Sequence, residues 1–157
     1  MRILVLGAGA LGLIFGGRAA EAGHDVAFLC RPATASRLRA QGLRVRSPFG
    51  DIARPAQVLD QAEGGFDAVL LACKAYDLES AIDAIAPAMT GGTLVLPVLN
   101  GLAHLDRLCA AFGAGRVLGG LARIQATRLP DGTAVQLNEW RTLALGELTG
   151  GTADRAR

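Results

Sequence analysis

An α/β fold built on a doubly wound, mainly parallel sheet is what this chain predicts, on three observations. The apolar run Ile3-Leu4-Val5-Leu6 leads straight into Gly7-Ala8-Gly9-Ala10-Leu11-Gly12 and then into a helical stretch rich in small residues. Short continuous apolar runs then alternate with helix-length segments that stop at glycine, as strands buried on both faces do. Late in the chain the pattern changes to shorter runs around Pro130-Asp131-Gly132, which predicts partly antiparallel strands.

The glycine loop comes first. A bare GxGxxG is weak, but this one lies at a strand-to-helix turn, where a pyrophosphate can rest against backbone N–H groups and the positive end of a helix. Gly7 suits the tight turn, Gly9 the close approach of phosphate, and Gly12 the packing of helix on strand, which makes the fold Rossmann-type. The first helix is predicted over 10–22, ending at Gly23, and the second strand over 26–29, which completes a βαβ unit. A second helix follows over 34–41, ended by Gly42. Segments 43–47 and 52–54, joined through Pro48-Phe49-Gly50-Asp51, read as a hairpin at the sheet edge. A strand over 66–73, a helix over 76–89 and a strand over 93–99 continue the alternation, with Pro97 inside the last. A helix over 102–112 precedes late strands over 117–127, 134–138 and 142–145. Residues 1–148 form one cofactor-binding domain, and 149–157, with Thr152 as a helix cap, read as the start of a linker or helix.

Composition bounds the rest. At 157 residues the chain has the size of one domain with a substantial core. Hydrophobic residues make up 51% and mean hydropathy is +0.34, which excludes disorder, while 4% aromatic content leaves the core to Ala, Leu, Val and Ile. A net charge of +2 on 16 basic and 14 acidic residues argues against nucleic acid as a partner. Arg2 and the apolar stretch behind it imitate a signal peptide. Glycines interrupt the stretch, Arg18 and Glu21 follow, and it is too short to span a membrane. Cys30, Cys73 and Cys109 are odd in number, far apart and outside any CxxC pattern, so neither a disulfide framework nor a zinc or other metal site is expected, and a reducing cytoplasm fits best.

Three residues carry candidate chemistry beyond the loop. NAD-binding units end their second strand with an acid that holds the ribose hydroxyls; here that place reads Leu29-Cys30-Arg31. Arg31 offers a donor fork to a 2′-phosphate, which predicts NADP(H); its bland alternative is a solvated loop arginine among 15 arginines. Lys74 is the single lysine and stands at the carboxyl end of a strand, where α/β sheets place ligands; the alternative is a solvated loop cation. Asn100 closes the next strand ahead of Gly101, and its amide suits a nicotinamide or a substrate carbonyl as well as it suits an Asn-Gly turn. His24 reads as a turn residue, His104 as a helix-surface residue, Asp77 as a helix cap and Trp140 as packing.

Taken together, Gly7 to Gly12, Leu29-Cys30-Arg31, Cys73-Lys74-Ala75-Tyr76-Asp77, Leu99-Asn100-Gly101, Val117-Leu118-Gly119-Gly120 and Leu143-Ala144-Leu145-Gly146-Glu147 resemble the N-terminal domain of the ketopantoate reductase (2-dehydropantoate 2-reductase) family, within the 6-phosphogluconate dehydrogenase-like superfamily. The resemblance spans nearly the whole chain. It implies that Gly7, Ala8, Gly9, Ala10, Leu11 and Gly12 bind the cofactor phosphates, Arg31 the 2′-phosphate, and Lys74 and Asn100 the nicotinamide ribose. Asn100 would also face substrate, and Ile124 would add a backbone contact to the cofactor. The implied reaction is NADPH-dependent reduction of ketopantoate to pantoate on the way to pantothenate and coenzyme A. The family's catalytic lysine and a substrate-binding glutamate belong to a C-terminal helical domain that is absent up to Arg157, so no catalytic residue is assigned in this chain and weak or no turnover is expected of it. The alternatives are a reductase of another 2-oxo acid and a non-catalytic NADP(H)-binding module. The expected partner is a small 2-oxo acid, and apolar surface left by a missing domain would allow a homo-oligomer.

Overall fold

The computed structural model describes residues 1–148, so the linker predicted over 149–157 lies outside the described residues. Five strands make the central sheet: β1 (Arg2–Leu6), β2 (Asp25–Leu29), β5 (Gln57–Leu59), β6 (Ala68–Leu71) and β7 (Leu94–Pro97). Their order is β5-β2-β1-β6-β7 and every pairing is parallel. Helices α1 (Ala10–Glu21) and α2 (Pro32–Gln41) belong to the first half, α3 (Leu78–Ile85) and α4 (Ala103–Phe112) to the second.

Side chains of each central strand alternate between two cores, as the pleat requires. Leu4, Leu6, Ala27, Leu29, Val69, Leu71 and Val95 face one core, closed by Leu78, Ala81, Ile82 and Ile85 of α3 and Leu108 of α4. Val5, Val26, Phe28 and Leu70 face the other, closed by Leu13 and Ile14 of α1 and Leu38 of α2. The run Ile3-Leu4-Val5-Leu6 is continuous because each of its faces has a core to fill. In α3 the buried positions fall at i, i+3, i+4 and i+7, the single stripe of an amphipathic helix.

The hairpin strands β3 (Leu43–Arg46) and β4 (Ile52–Arg54) do form, but they are not at the edge of the central sheet. They join β9 (Ala126–Arg128) and β10 (Ala134–Gln136) in a second sheet of order β4-β3-β10-β9. Buried Leu43, Val45 and Ile52 need an apolar partner, and α1 provides one: a Cβ on Gly17 would come within 3.0 Å of Ile52 and 3.1 Å of Leu43. The central edge is taken instead by β5, whose three residues are too few to show a period. As expected, antiparallel pairs appear late, β9 with β10 and β8 (Leu118–Arg123) with β11 (Thr142–Glu147).

Three further expectations are corrected. The helix predicted over 76–89 is broken into a 3-10 turn at Ala75–Asp77, α3, and a second 3-10 turn at Ala86–Ala88 containing Pro87. His104 is not on the surface: it shares the inward face of α4 with Leu108, and burial holds its imidazole below the usual histidine range. Trp140 is half-exposed, with the Arg123 guanidinium 4.4 Å over its ring, rather than packed in a core.

Candidate functional site

From β1 the chain winds outward to β2 on one side and later returns to β6 on the other. That reversal leaves a crevice beyond the carboxyl ends of β1, β2 and β6, where open α/β sheets bind ligands. A cleft of about 640 Å³ occupies the place. Its floor is the glycine loop. Gly7 has φ +96°, and a Cβ there would lie 2.8 Å from the Ala72 carbonyl oxygen, so the loop can press against the end of β6 only as glycine. A Cβ on Gly12 would overlap the Gly7 carbonyl oxygen, whereas one on Gly9 would meet nothing within 4 Å and would project into open space. Helix α1 starts there with no acidic residue in its first turn and no side-chain cap, so the positive pole of its dipole is left uncompensated.

Gly7, Ala8, Gly9, Ala10, Arg31 and Lys74 all line the cleft, while Leu11 and Gly12 stand outside its lining, Gly12 packed against the Gly7 carbonyl. Arg31 stands directly before α2, and its side chain is 74% exposed. Lys74 is exposed at the end of β6. Asn100 is also exposed, beyond the carboxyl end of neighbouring β7, but it stands outside the cleft lining. Ile124, between β8 and β9, packs toward the second core and does not line the cleft either; the wall at that point is Ala126-Thr127-Arg128 of β9.

Two charged residues of the cleft were not singled out for it by the sequence reasoning. Asp77 makes no side-chain cap to α3; its Oδ1 accepts a hydrogen bond from Arg31 Nη2 at 2.7 Å. The carboxylate missing from the end of β2 therefore arrives in space from the turn after β6. Its position three residues beyond Lys74, after the carboxyl end of the strand on the other side of β1, was the signal available. Arg128 reaches in from the second sheet, donating from Nη1 to the Ala8 carbonyl oxygen at 3.0 Å and standing 3.5 Å from Thr34 Oγ1. Those partners are 120 and 94 residues away in sequence, and no local pattern signals them.

The cleft offers positive charge and backbone donors but little acid–base chemistry. Burial pushes the thiols of Cys30 and Cys73 up, in Cys30 against the opposing pull of Arg39 and Arg128, so neither is a thiolate at neutral pH. No group of three or more His, Cys, Asp or Glu able to hold a metal ion occurs among the described residues, and no helix among them is long and apolar enough to cross a membrane.

A family model, ketopantoate reductase PanE/ApbA, matches the chain over residues 3–150, which take in every residue of this cleft. The chain belongs to the PanE/ApbA ketopantoate reductase family. It is 35% identical to the uncharacterized oxidoreductase YkpB of Bacillus subtilis (strain 168) over 158 aligned residues, which take in 100% of this chain and 52% of that protein. The crystal structure of a 2-dehydropantoate 2-reductase from Geobacter metallireducens GS-15 superimposes with a TM-score of 0.90 at 34% identity, covering 99% of this chain and 52% of that one. A D-mandelate dehydrogenase, solved in a ternary structure with NADH and anilino(oxo)acetate, shares the fold with a TM-score of 0.84 at 24% identity over 94% of this chain and 49% of that one. The chain thus spans about half the length of these relatives.

Proposed function

We propose that this chain is the cofactor-binding half of an NADP(H)-dependent reductase that converts 2-dehydropantoate to pantoate. The observation that carries the reading is the cleft itself, which sets the open face of Gly9, the uncapped start of α1 and the Arg31 guanidinium around one crevice. In this reading the loop N–H groups and the α1 pole hold the pyrophosphate, Arg31 the 2′-phosphate, and Lys74 a ribose oxygen. Asn100, outside the cleft lining, is given the nicotinamide ribose and the substrate in this reading, and the main chain near Ile124 a further contact to the cofactor. When bound, the reduced nicotinamide supplies a hydride to the carbonyl carbon of the 2-oxo acid.

The carbonyl oxygen then needs a proton; Cys30 and Cys73 are partly buried thiols, the Tyr76 phenol is 81% exposed to water, and this reading gives Lys74 to a ribose oxygen of the cofactor. The donor is therefore assigned to the part of the relatives' length that this chain does not cover. A reductase of another 2-oxo acid is the second reading, supported by the 35% identity over the whole chain to YkpB, an uncharacterized oxidoreductase. A reducing cytoplasm suits the three cysteines, all of them free.

Titration with NADPH and NADH, followed by a ketopantoate assay on this chain and on a longer protein that adds the missing half, tests the reading. Expected are saturable binding of NADPH, tighter than that of NADH, and turnover by the longer protein only. Failure to bind either nucleotide would sink the proposal, and NADH bound more than about tenfold tighter than NADPH would remove Arg31 from it.

A further inference from the structure

We infer that Arg31 and Asp77 act as one cofactor-selecting pair, in which the Asp77 carboxylate competes with the 2′-phosphate of NADP(H) for the guanidinium and itself accepts the free 2′-hydroxyl of NAD(H). This rests on the cofactor reading above. Asp77 stands at the start of α3, where the helix dipole favours an acid, but its side chain makes no cap hydrogen bond there. It reaches instead across the cleft to a residue 46 positions away, at 2.7 Å. Nor does stability explain the pair, since Arg31 is 74% exposed and ion pairs in water contribute little. Asp77, at 28% exposure, is the better-held member, so the carboxylate positions the guanidinium.

Both residues line the cleft, on the carboxyl ends of strands that flank β1. A 2′-phosphate approaching Arg31 must therefore displace Asp77 or share one cation with it, and two anions on one guanidinium repel each other. A ribose that carries only a hydroxyl meets a carboxylate ready to accept its proton in a hydrogen bond, the role usually given to an acid on β2. Arg31 therefore favours NADPH while Asp77 favours NADH, and the chain discriminates between the two only weakly.

The test is the ratio of NADPH to NADH dissociation constants for the wild-type chain and for Asp77→Asn, Asp77→Ala and Arg31→Met. The wild-type constants should lie within about tenfold of each other. Asp77→Asn should tighten NADPH about tenfold and weaken NADH, with Asp77→Ala moving the ratio the same way and Arg31→Met moving it in the opposite direction. An unchanged ratio in the Asp77 variants, with both nucleotides still bound, would overturn the pair and leave the cofactor reading standing. If neither nucleotide bound the wild-type chain, the pair and the reading would fall together.

Discussion

Gly9 and Gly12 stand three residues apart in one loop, and their substitution should fail for different reasons. At Gly12 a Cβ would overlap the Gly7 carbonyl oxygen, so Gly12→Ala must push α1 away from β1. The expected result is a loss of about 1–3 kcal/mol, the usual cost of overpacking, read as a lowered midpoint in urea. At Gly9 the same methyl group meets open space, so Gly9→Ala should melt like wild type yet bind NADPH at least about tenfold more weakly, because the methyl stands where phosphate approaches the N–H groups. Equal affinity in the two proteins would take the pyrophosphate out of the loop. Lys74→Ala should weaken NADPH about tenfold, the effect of losing one charge-assisted hydrogen bond, with thermal stability unchanged because the side chain is exposed; unaltered affinity would return Lys74 to the role of a solvated cation. These positions were legible in the sequence because a strand-loop-helix junction and a carboxyl strand end are local features. Asp77 offered only its place three residues beyond Lys74, since its partner is 46 residues distant, and Arg128, whose partner is 120 residues distant, offered nothing local.

Strands β1, β2, β6 and β7 were legible for the reason that makes them sensitive to substitution: each carries apolar side chains toward both cores. Leu71 in β6 is fully buried, and Leu71→Ala should cost about 2–5 kcal/mol in denaturant unfolding. The strands that escaped detection or were misplaced have too little burial to leave a pattern. In β5 no residue is fully buried, and the hairpin of β3 and β4 has a clear inward face but no local sign that its partner is α1 rather than the sheet edge. Helix α4 gives a pH-dependent case. Burial depresses the imidazole of His104, so as pH falls the unfolded chain binds its proton before the folded chain does. Stability present above the ordinary histidine pKa of about 6.5 is therefore lost as pH drops below it. Between pH 7.5 and 5.5 the wild-type melting temperature should fall further than that of His104→Leu; parallel curves would show that His104 titrates freely.

At the scale of the whole molecule, the cleft joins two sheets that otherwise meet mainly through α1. The central sheet provides the glycine loop, Arg31 and Lys74, and the second sheet provides Arg128, whose bond to the Ala8 carbonyl ties β9 to the loop. A nucleotide filling this space touches both sheets and neither is preserved around it in the unfolded chain, so binding must stabilise the fold as a unit. At a free NADPH concentration of 100 times its Kd the gain is about 2.7 kcal/mol, which for a domain of this size raises Tm by roughly 5–11 °C. Arg128→Ala removes the charge on the second-sheet side. At the same NADPH concentration a tenfold weaker Kd would reduce the gain by about 1.4 kcal/mol, so the variant should show roughly half the wild-type shift. A full shift in Arg128→Ala would mean that the nucleotide is held by the central sheet alone.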